Sequence, residues 1–207
     1  MSLFDDRSHA GREVSNFLKG KAEVDLVVIP YAEALDIGLE IAKEQNADVE
    51  VLLSDFISAE DIPYADVGAV VEDGTIWVED RLVDELGVER SYIEESAELT
   101  SSSLGGSSIG LNQKTSLKPK GSAVIASEGL GSGFREAAVA GSLLKKGFEE
   151  IHLAAPFKSR NVMADIEKVV DEVFYLKEIP FLSSPDSCYE QNQKGLEIEY
   201  YNIQLIR

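Results

Sequence analysis

The stretch from Lys120 to Gly147, KGSAVIASEGLGSGFREAAVAGSLLKKG, constrains the fold of this chain more than any other. Its apolar run, Ala123 to Ala126, lies between Gly121 and Gly129 and is too short for a buried helix, so it reads as a buried parallel strand. Ser127 and Glu128 follow, then a glycine-spaced loop, Gly129-Leu130-Gly131-Ser132-Gly133. Phe134 to Lys146 has helical composition, and Gly147 is placed to cap it. Strand, glycine loop and helix in this order aim backbone N–H groups and the positive end of a helix dipole at one point, which suits an anion. Glycines serve there because a side chain would block close approach and because some positions need positive φ. An ordinary strand-to-helix turn that binds nothing fits the glycines alone equally well. The acid at the strand's end favours a site, since open α/β sheets bind ligands beyond the carboxyl ends of their strands.

The flanking sequence continues the same rhythm. Phe4 to Lys19 predicts a helix entered through Asp5 or Asp6, with Val14, Phe17 and Leu18 on one face; Asp5, Asp6 and Arg7 read as cap and solvated charge. Val24 to Ile29 is a second buried strand. After the Pro30-Tyr31-Ala32 turn, Glu33 to Glu44 is an amphipathic helix carrying Leu35, Leu39 and Ile41, and Val49 to Leu53 is a further strand. Near-continuous apolar strands alternating with helices specify an α/β protein with a parallel sheet. Asp66 to Val78 breaks the alternation: Asp73-Gly74 between two apolar runs signals a hairpin, with Trp77 packed in its second strand. Glu79 to Leu86, closed by Gly87, and Ser91 to Leu99 are helices.

Thr100 to Lys120 lacks periodicity and is rich in serine and glycine, ending in Lys114, Lys118 and Lys120; residues 101–120 read as a mobile lid or equally as a linker. A strand at Ile151 to Ala155, a helix at Asn161 to Val170 and a strand at Val173 to Leu176 complete the pattern. His9 and His152 have no ligand-spaced partner and read as solvated and packed, respectively. In the C-terminal segment, 178–207, the run Ile198 to Ile206 fits a final edge strand.

With 207 residues and no internal repeat, 1–207 reads as a single domain. Thirty-eight acidic residues against 19 basic ones give a formal charge of −19. Such a surface repels nucleic acid and anionic membrane, so neither is an expected partner, and a phosphate ligand would need a local nest of amides or cations. The single cysteine, Cys188, forms no internal disulfide and has no histidine near it in sequence, so it reads as incidental and fits a cytoplasmic location. No apolar run of about 18 residues and no basic-then-apolar leader is visible.

Three segments then stand together. Phe4, Asp6, Arg7, Ala10, Gly11 and Arg12 form an F-x-D-R-x-x-A-G-R helix start; Gly68-Ala69-Val70 and Glu72-Asp73-Gly74-Thr75 lie in the hairpin; Leu86-Gly87-Val88 and Tyr92-Ile93-Glu94-Glu95 lie in the helices after it. With these in order, the chain resembles the type I phosphoribosyltransferase family over most of its length, and most of all a bacterial and archaeal branch of it. The resemblance implies a twisted parallel sheet with helices on both faces, a small hood over the strand ends, a loop that closes on substrate, and a homodimer. It also implies a phosphoribosyl motif of the form D-D-G-x-A-T-G-x-T, here Ser127-Glu128-Gly129-Leu130-Gly131-Ser132-Gly133-Phe134-Arg135. Glu128 would then be the catalytic-site acid that grips the ribose hydroxyls, with Ser127 adding one neutral hydrogen bond. Gly129 to Gly133 and Phe134 would present amides to the 5′-phosphate, and Arg135 would add a charge-assisted contact.

Three family elements are altered, one of them the mobile loop, where serine and glycine stand in place of the several basic residues of related chains. The acid pair has shrunk to Glu128. The P-R-G-G loop that holds pyrophosphate and its Mg²⁺ in this branch is replaced by Pro30-Tyr31-Ala32-Glu33. The implied activity is transfer of a phosphoribosyl group from phosphoribosyl pyrophosphate to a nitrogenous base, with Mg²⁺ accompanying the diphosphate. The alternative is a non-catalytic nucleotide-binding or regulatory protein that keeps only the 5′-phosphate cradle.

Overall fold

The computed structural model of the chain describes residues 2–62, 64–107, 121–160, 162, 164–182 and 184–191. Helix α1 (Arg7–Leu18) starts at Asp6, whose carboxylate accepts from the His9 N–H at 2.6 Å, so the cap is Asp6 and not Asp5. Strand β1 (Leu26–Ile29) is buried at every position, as a central parallel strand must be. A 3-10 turn (Ala32–Ala34) leads into α2 (Leu35–Gln45), which Asn46 ends in the left-handed conformation, and β2 (Asp48–Val51) follows.

Next come three strands, β3 (Ser54–Ser58), β4 (Asp66–Val71) and β5 (Ile76–Val78), then α3 (Asp80–Leu86) and α4 (Arg90–Ser107). The second half contains β6 (Ser122–Ala126), α5 (Phe134–Lys146), β7 (Glu150–Ser159) and β8 (Glu172–Ile179), with 3-10 turns at Ala164–Lys168 and Pro185–Cys188.

Five strands form a parallel sheet in the order β2-β1-β6-β7-β8, and β3-β4-β5 form a separate antiparallel sheet. Alternation along each parallel strand assigns the two layers. Val27, Val124 and Ala154 face α1 and α2, packing with Ala10, Val14, Leu18, Ile37 and Ile41. Val28, Ile125 and Leu153 face the other way, onto Ala137, Val139, Ala140 and Leu143 of α5. The antiparallel sheet is a hood between α5 and α3/α4: Ala69 and Val71 join the α5 core, while Ile57, Val67 and Val70 pack on Val83, Ile93 and Ala97. The hairpin turn falls at Asp73-Gly74, with Gly74 at φ 82°.

Several boundaries differ from the sequence expectation for physical reasons. Helix α4 runs on to Ser107, so residues 101–107 of the expected lid are helical; Ile93 and Ala97 anchor the helix on the hood, and serine is tolerated on its outer face. The rest of that stretch, 108–120, and the expected edge strand at 198–206 lie outside the described residues. β7 continues through Pro156 because its pairing with β6 ends at Ala154, so the missing N–H breaks no bond on that side. The expected helix at 161–170 is a 3-10 turn, Ala164–Lys168. β3, in the short sequence Ser-Asp-Phe-Ile-Ser, has too few residues for its alternation to be read.

Candidate functional site

The carboxyl ends of β1 and β6, neighbours at the centre of the parallel sheet, bring the loops 30–33 and 127–133 together. That crevice is where an open α/β sheet places its ligand. The glycine loop is pinned on its far side to β7: Leu130 N–H donates to Phe157 O at 2.9 Å, and Ser159 N–H donates to Leu130 O at 2.9 Å. The Leu130 side chain is fully buried, and Phe134 is buried against Trp77 with ring centroids 5.2 Å apart. Leu130 and Phe134 therefore offer a ligand only their backbones.

Two glycines of the loop have different causes. A Cβ at Gly129 would come within 2.0 Å of the Phe157 ring, so this glycine is required by packing. Gly133 sits at φ 83° in the left-handed region as the residue that starts α5, where a side chain would be strained. No side chain caps α5, and among the described residues no hydrogen bond takes up the N–H groups of Gly131, Ser132, Gly133, Phe134 or Arg135. Gly131 and Ser132 are half-buried, and a Cβ at Gly131 would meet Leu182 at an ordinary 3.7 Å. The turn thus leaves its N–H groups without partners among the described residues at the positive end of a 13-residue helix.

The side chains around it are heavily committed. Ser127 is fully buried, and its hydroxyl donates to Glu136 Oε1 at 2.7 Å. The Tyr31 hydroxyl donates to the same oxygen at 2.8 Å and lies 2.9 Å from Ser127 Oγ. Tyr31, at the sequence position where the resemblance implies an arginine, is itself buried; burial, with Glu136 beside it, holds its hydroxyl well above the ordinary tyrosine range. Arg135 stacks its guanidinium on Tyr31 at 3.5 Å and on Phe56 of the hood at 4.6 Å, and its Nε is buried without a hydrogen-bond partner among the described residues. Arg135 thus bridges the glycine loop to the hood. Glu136 and Tyr31 were not legible as site residues: an acid in a helix's first turn reads as dipole complement, and a lone tyrosine after a strand as packing.

Glu128 is 5 % exposed. Arg7 Nε and Nη2 donate to its Oε2 at 3.0 and 2.6 Å, and Nη2 also donates to Asp186 Oδ1 at 2.6 Å. The expectation of a solvated Arg7 is therefore corrected: Arg7 is buried, because Glu128 and Asp186 together supply the partners that a buried guanidinium needs. Tyr189 lies under the Arg7 guanidinium at 4.7 Å and donates its hydroxyl to the main-chain oxygen of Glu128. Burial pushes the Glu128 carboxyl up from its usual range, Arg7 pulls it down, and the net displacement is upward. Arg7 in turn is held above its ordinary value: burial works against its charge, and the bonds to Asp186 and Glu128 outweigh it.

Glu33 is exposed, and its charge pushes the Glu128 carboxyl upward. His9 pairs with Asp5, and His152 is buried edge-on to Phe174, so neither belongs to the site. Cys188 is a buried free thiol whose burial raises its pKa. No helix among the described residues is long and apolar enough to cross a membrane.

No protein-family model matches the sequence, and no curated protein matches it. Among solved structures, TT1426 from Thermus thermophilus is similar over 96% of this chain and 95% of that one, at 20% identity and a TM-score of 0.72. A hypothetical protein from Neisseria gonorrhoeae, solved with bound ppGpp, aligns over 86% of this chain and 81% of its own, at 9% identity and a TM-score of 0.51. The purine phosphoribosyltransferase from Pyrococcus horikoshii aligns over 84% of each chain at 12% identity, with a TM-score of 0.48. With its five parallel strands in the order β2-β1-β6-β7-β8, helices on both faces and an antiparallel hood, the chain has a fold similar to that of TT1426.

Proposed function

We propose that the chain binds a phosphorylated ribose at the carboxyl end of β6 and acts as a phosphoribosyltransferase on phosphoribosyl pyrophosphate and a nitrogenous base. The observation that carries this reading is the uncapped turn Gly131–Arg135, whose N–H groups have no partner among the described residues at the start of α5. The 5′-phosphate would take those N–H groups. Glu128 Oε1 would accept from a ribose hydroxyl, since both Arg7 bonds fall on Oε2. In the transfer, the C1–O bond to pyrophosphate breaks, a C1–N bond to the base forms, and the base gives up its proton to solvent. Positive charge that develops on the ribose ring would be stabilised by nearby carboxylate and by exclusion of water.

The described residues hold no ready-made carboxylate cluster for Mg²⁺. They contain no group of three or more His, Cys, Asp or Glu side chains placed for a metal, and Glu128 is engaged by a guanidinium. The ion would arrive as part of a substrate diphosphate.

A second reading, a nucleotide-binding protein without transfer chemistry, is favoured by one observation: in the loop to which the resemblance assigns the diphosphate, Tyr31 is buried and Glu33 is exposed. A carboxylate within ~4 Å of an oxyanion costs on the order of several kcal/mol at a near-surface effective dielectric.

Calorimetric titration separates the readings. The panel is phosphoribosyl pyrophosphate with and without Mg²⁺, nucleoside 5′-monophosphates, the matching nucleosides, and ppGpp, which a fold neighbour binds. Each phosphorylated ligand is expected to bind at least about tenfold more tightly than its nucleoside, the worth of charge-assisted bonds to the turn. Equal affinity for nucleotide and nucleoside would remove the cradle. Pyrophosphate release in the presence of a base establishes the transferase; tight monophosphate binding with no release establishes the second reading.

A further inference from the structure

We propose that Arg7, gripped by residues 185–191, is the positioning residue that keeps Glu128 ionised and fixed, so that ligand binding depends on the junction between residues 2–7 and 185–191. This rests on the reading of 127–135 as a site for phosphorylated ribose. It adds to that reading a control point remote in sequence.

The junction is built from main-chain bonds. Leu3 N–H donates to Cys188 O at 2.7 Å, Glu190 N–H to Phe4 O at 3.0 Å, and Gln191 N–H to Asp5 O at 2.8 Å. Phe4 and Tyr189 form a parallel bridge, and both are buried in the core that contains Phe157. Asp6 caps and Arg7 begins α1 directly after this bridge, while on the other segment Asp186 lies in the Pro185–Cys188 turn just before Tyr189, the bridge residue itself. The guanidinium therefore has Asp186 on one side, the Tyr189 ring against its face, and Glu128 ahead of it. Its direction is set by Asp186 and by Tyr189, whose hydroxyl also holds the Glu128 main chain.

The chemistry needs this. A buried carboxyl without a cation becomes a neutral acid, which offers one acceptor fewer to a ribose hydroxyl and presents a proton of its own. The charged and titratable groups facing Glu128 come from every neighbouring element: Arg7 from α1, Asp186 and Tyr189 from 185–191, Tyr31 and Glu33 from the loop after β1, and Arg135 from α5. Asp36 of α2 faces Arg7. Burial and Glu33 favour the neutral acid, whereas Arg7 and Arg135 favour the carboxylate, with Arg7 the stronger of the two. Moving Arg7 by loosening its grip tips that balance. The carboxylate is the form present above the acid's pKa, so a weaker Arg7 contact shifts its loss, and the loss of ligand binding, to higher pH.

The test uses the full chain as wild type, Asp186→Asn, Arg7→Lys and Arg7→Met. Asp186 has an exposed side chain, so its variant leaves the core intact even where loss of Arg7 does not. The first readout is the carboxyl ¹³C NMR titration of Glu128, assigned with Glu128→Gln; the second is calorimetry with ribose 5-phosphate at pH 6 and pH 7.5. Arg7→Met is expected to move the Glu128 titration upward, whereas Asp186→Asn also takes a like charge from beside Glu128 and is expected to move it less, while weakening ribose 5-phosphate about threefold as Arg7 loses its second anchor. Arg7→Met is expected to weaken it about 10- to 100-fold, with Arg7→Lys in between because it keeps the charge and loses the fork. If Glu128 titrates alike in all four proteins, the proposal is overturned whatever binds. If the titration shifts as expected but ribose 5-phosphate fails to bind the wild type, the electrostatic coupling stands and the ligand reading of the site falls.

Discussion

Glycines that look alike in sequence have unlike reasons, and only coordinates separate them. Gly129 and Gly131 both belong to the loop that reads as a phosphate cradle, yet a Cβ at Gly129 strikes the Phe157 ring at 2.0 Å while one at Gly131 meets only Leu182 at 3.7 Å. Gly129→Ala is therefore expected to cost about 3 kcal/mol of stability through overpacking, measured by denaturant unfolding. Gly131→Ala is expected to change stability by less than about 0.5 kcal/mol and to weaken ribose 5-phosphate instead, because the methyl crowds the turn's open face. Equal destabilisation at the two positions would contradict the packing account. The same divide governs the acids. Glu128 was legible because it ends an apolar strand before glycines. Its partner Arg7 was not, because 121 residues separate them and nothing local marks a charged residue as buried. Ser127 was legible as a position but not as a role: its hydroxyl is spent on Glu136 inside the fold.

At the scale of elements, each unit whose signal is local was readable: the strand, loop and helix from Ser122 to Gly147, the Asp73-Gly74 hairpin, and the glycine that closes α3. What holds the hairpin against α5 was not. Asp73 pairs with Lys146, accepts from Ser142 Oγ at 2.5 Å and caps the Thr75 N–H at 3.0 Å, while Lys145 Nζ donates to Thr75 Oγ1 at 3.3 Å. These contacts, with the Trp77–Phe134 stack and the Arg135–Phe56 contact, clamp the hood over the site. Burial alone would raise the Asp73 carboxyl; Lys146, Ser142 and Thr75 hold it down to about 2 instead. A carboxyl depressed in the folded state stabilises the fold above its unfolded value of 3.8, and that stabilisation is lost as pH falls toward about 2. Because Asp73 is about a third exposed, solvent screening leaves about 1 kcal/mol of this effect. Asp73→Asn should accordingly be less stable than the wild type at pH 6, with the difference shrinking by pH 3. A difference independent of pH would mean that the clamp is not ionic.

At the scale of the molecule, the charge of −19 sets how an anionic ligand arrives. The site answers that field with backbone amides and with cations already turned inward: Arg7 is bound to Glu128 and Asp186, and Arg135 is stacked between Tyr31 and Phe56. Such groups bind at contact distance but do little to steer at long range, where the summed acidic surface dominates. A phosphorylated ribose should therefore associate against a repulsive field, and salt should help it. Raising ionic strength from 0.01 to 0.15 M shortens the Debye length from about 30 to about 8 Å, which screens the distant acids and leaves the contact bonds nearly intact. The association rate is expected to rise about two- to fivefold over that range, with the dissociation rate changing much less. Stopped-flow mixing with a fluorescent 5′-monophosphate measures both rates. A rate that falls with added salt would show that cations guide the ligand in, and the lysines at 114, 118 and 120 would then be the first to replace. A rate that rises ties the surface charge to the buried site: the fold admits its ligand through a repulsive field and recognises it only at the end of β6.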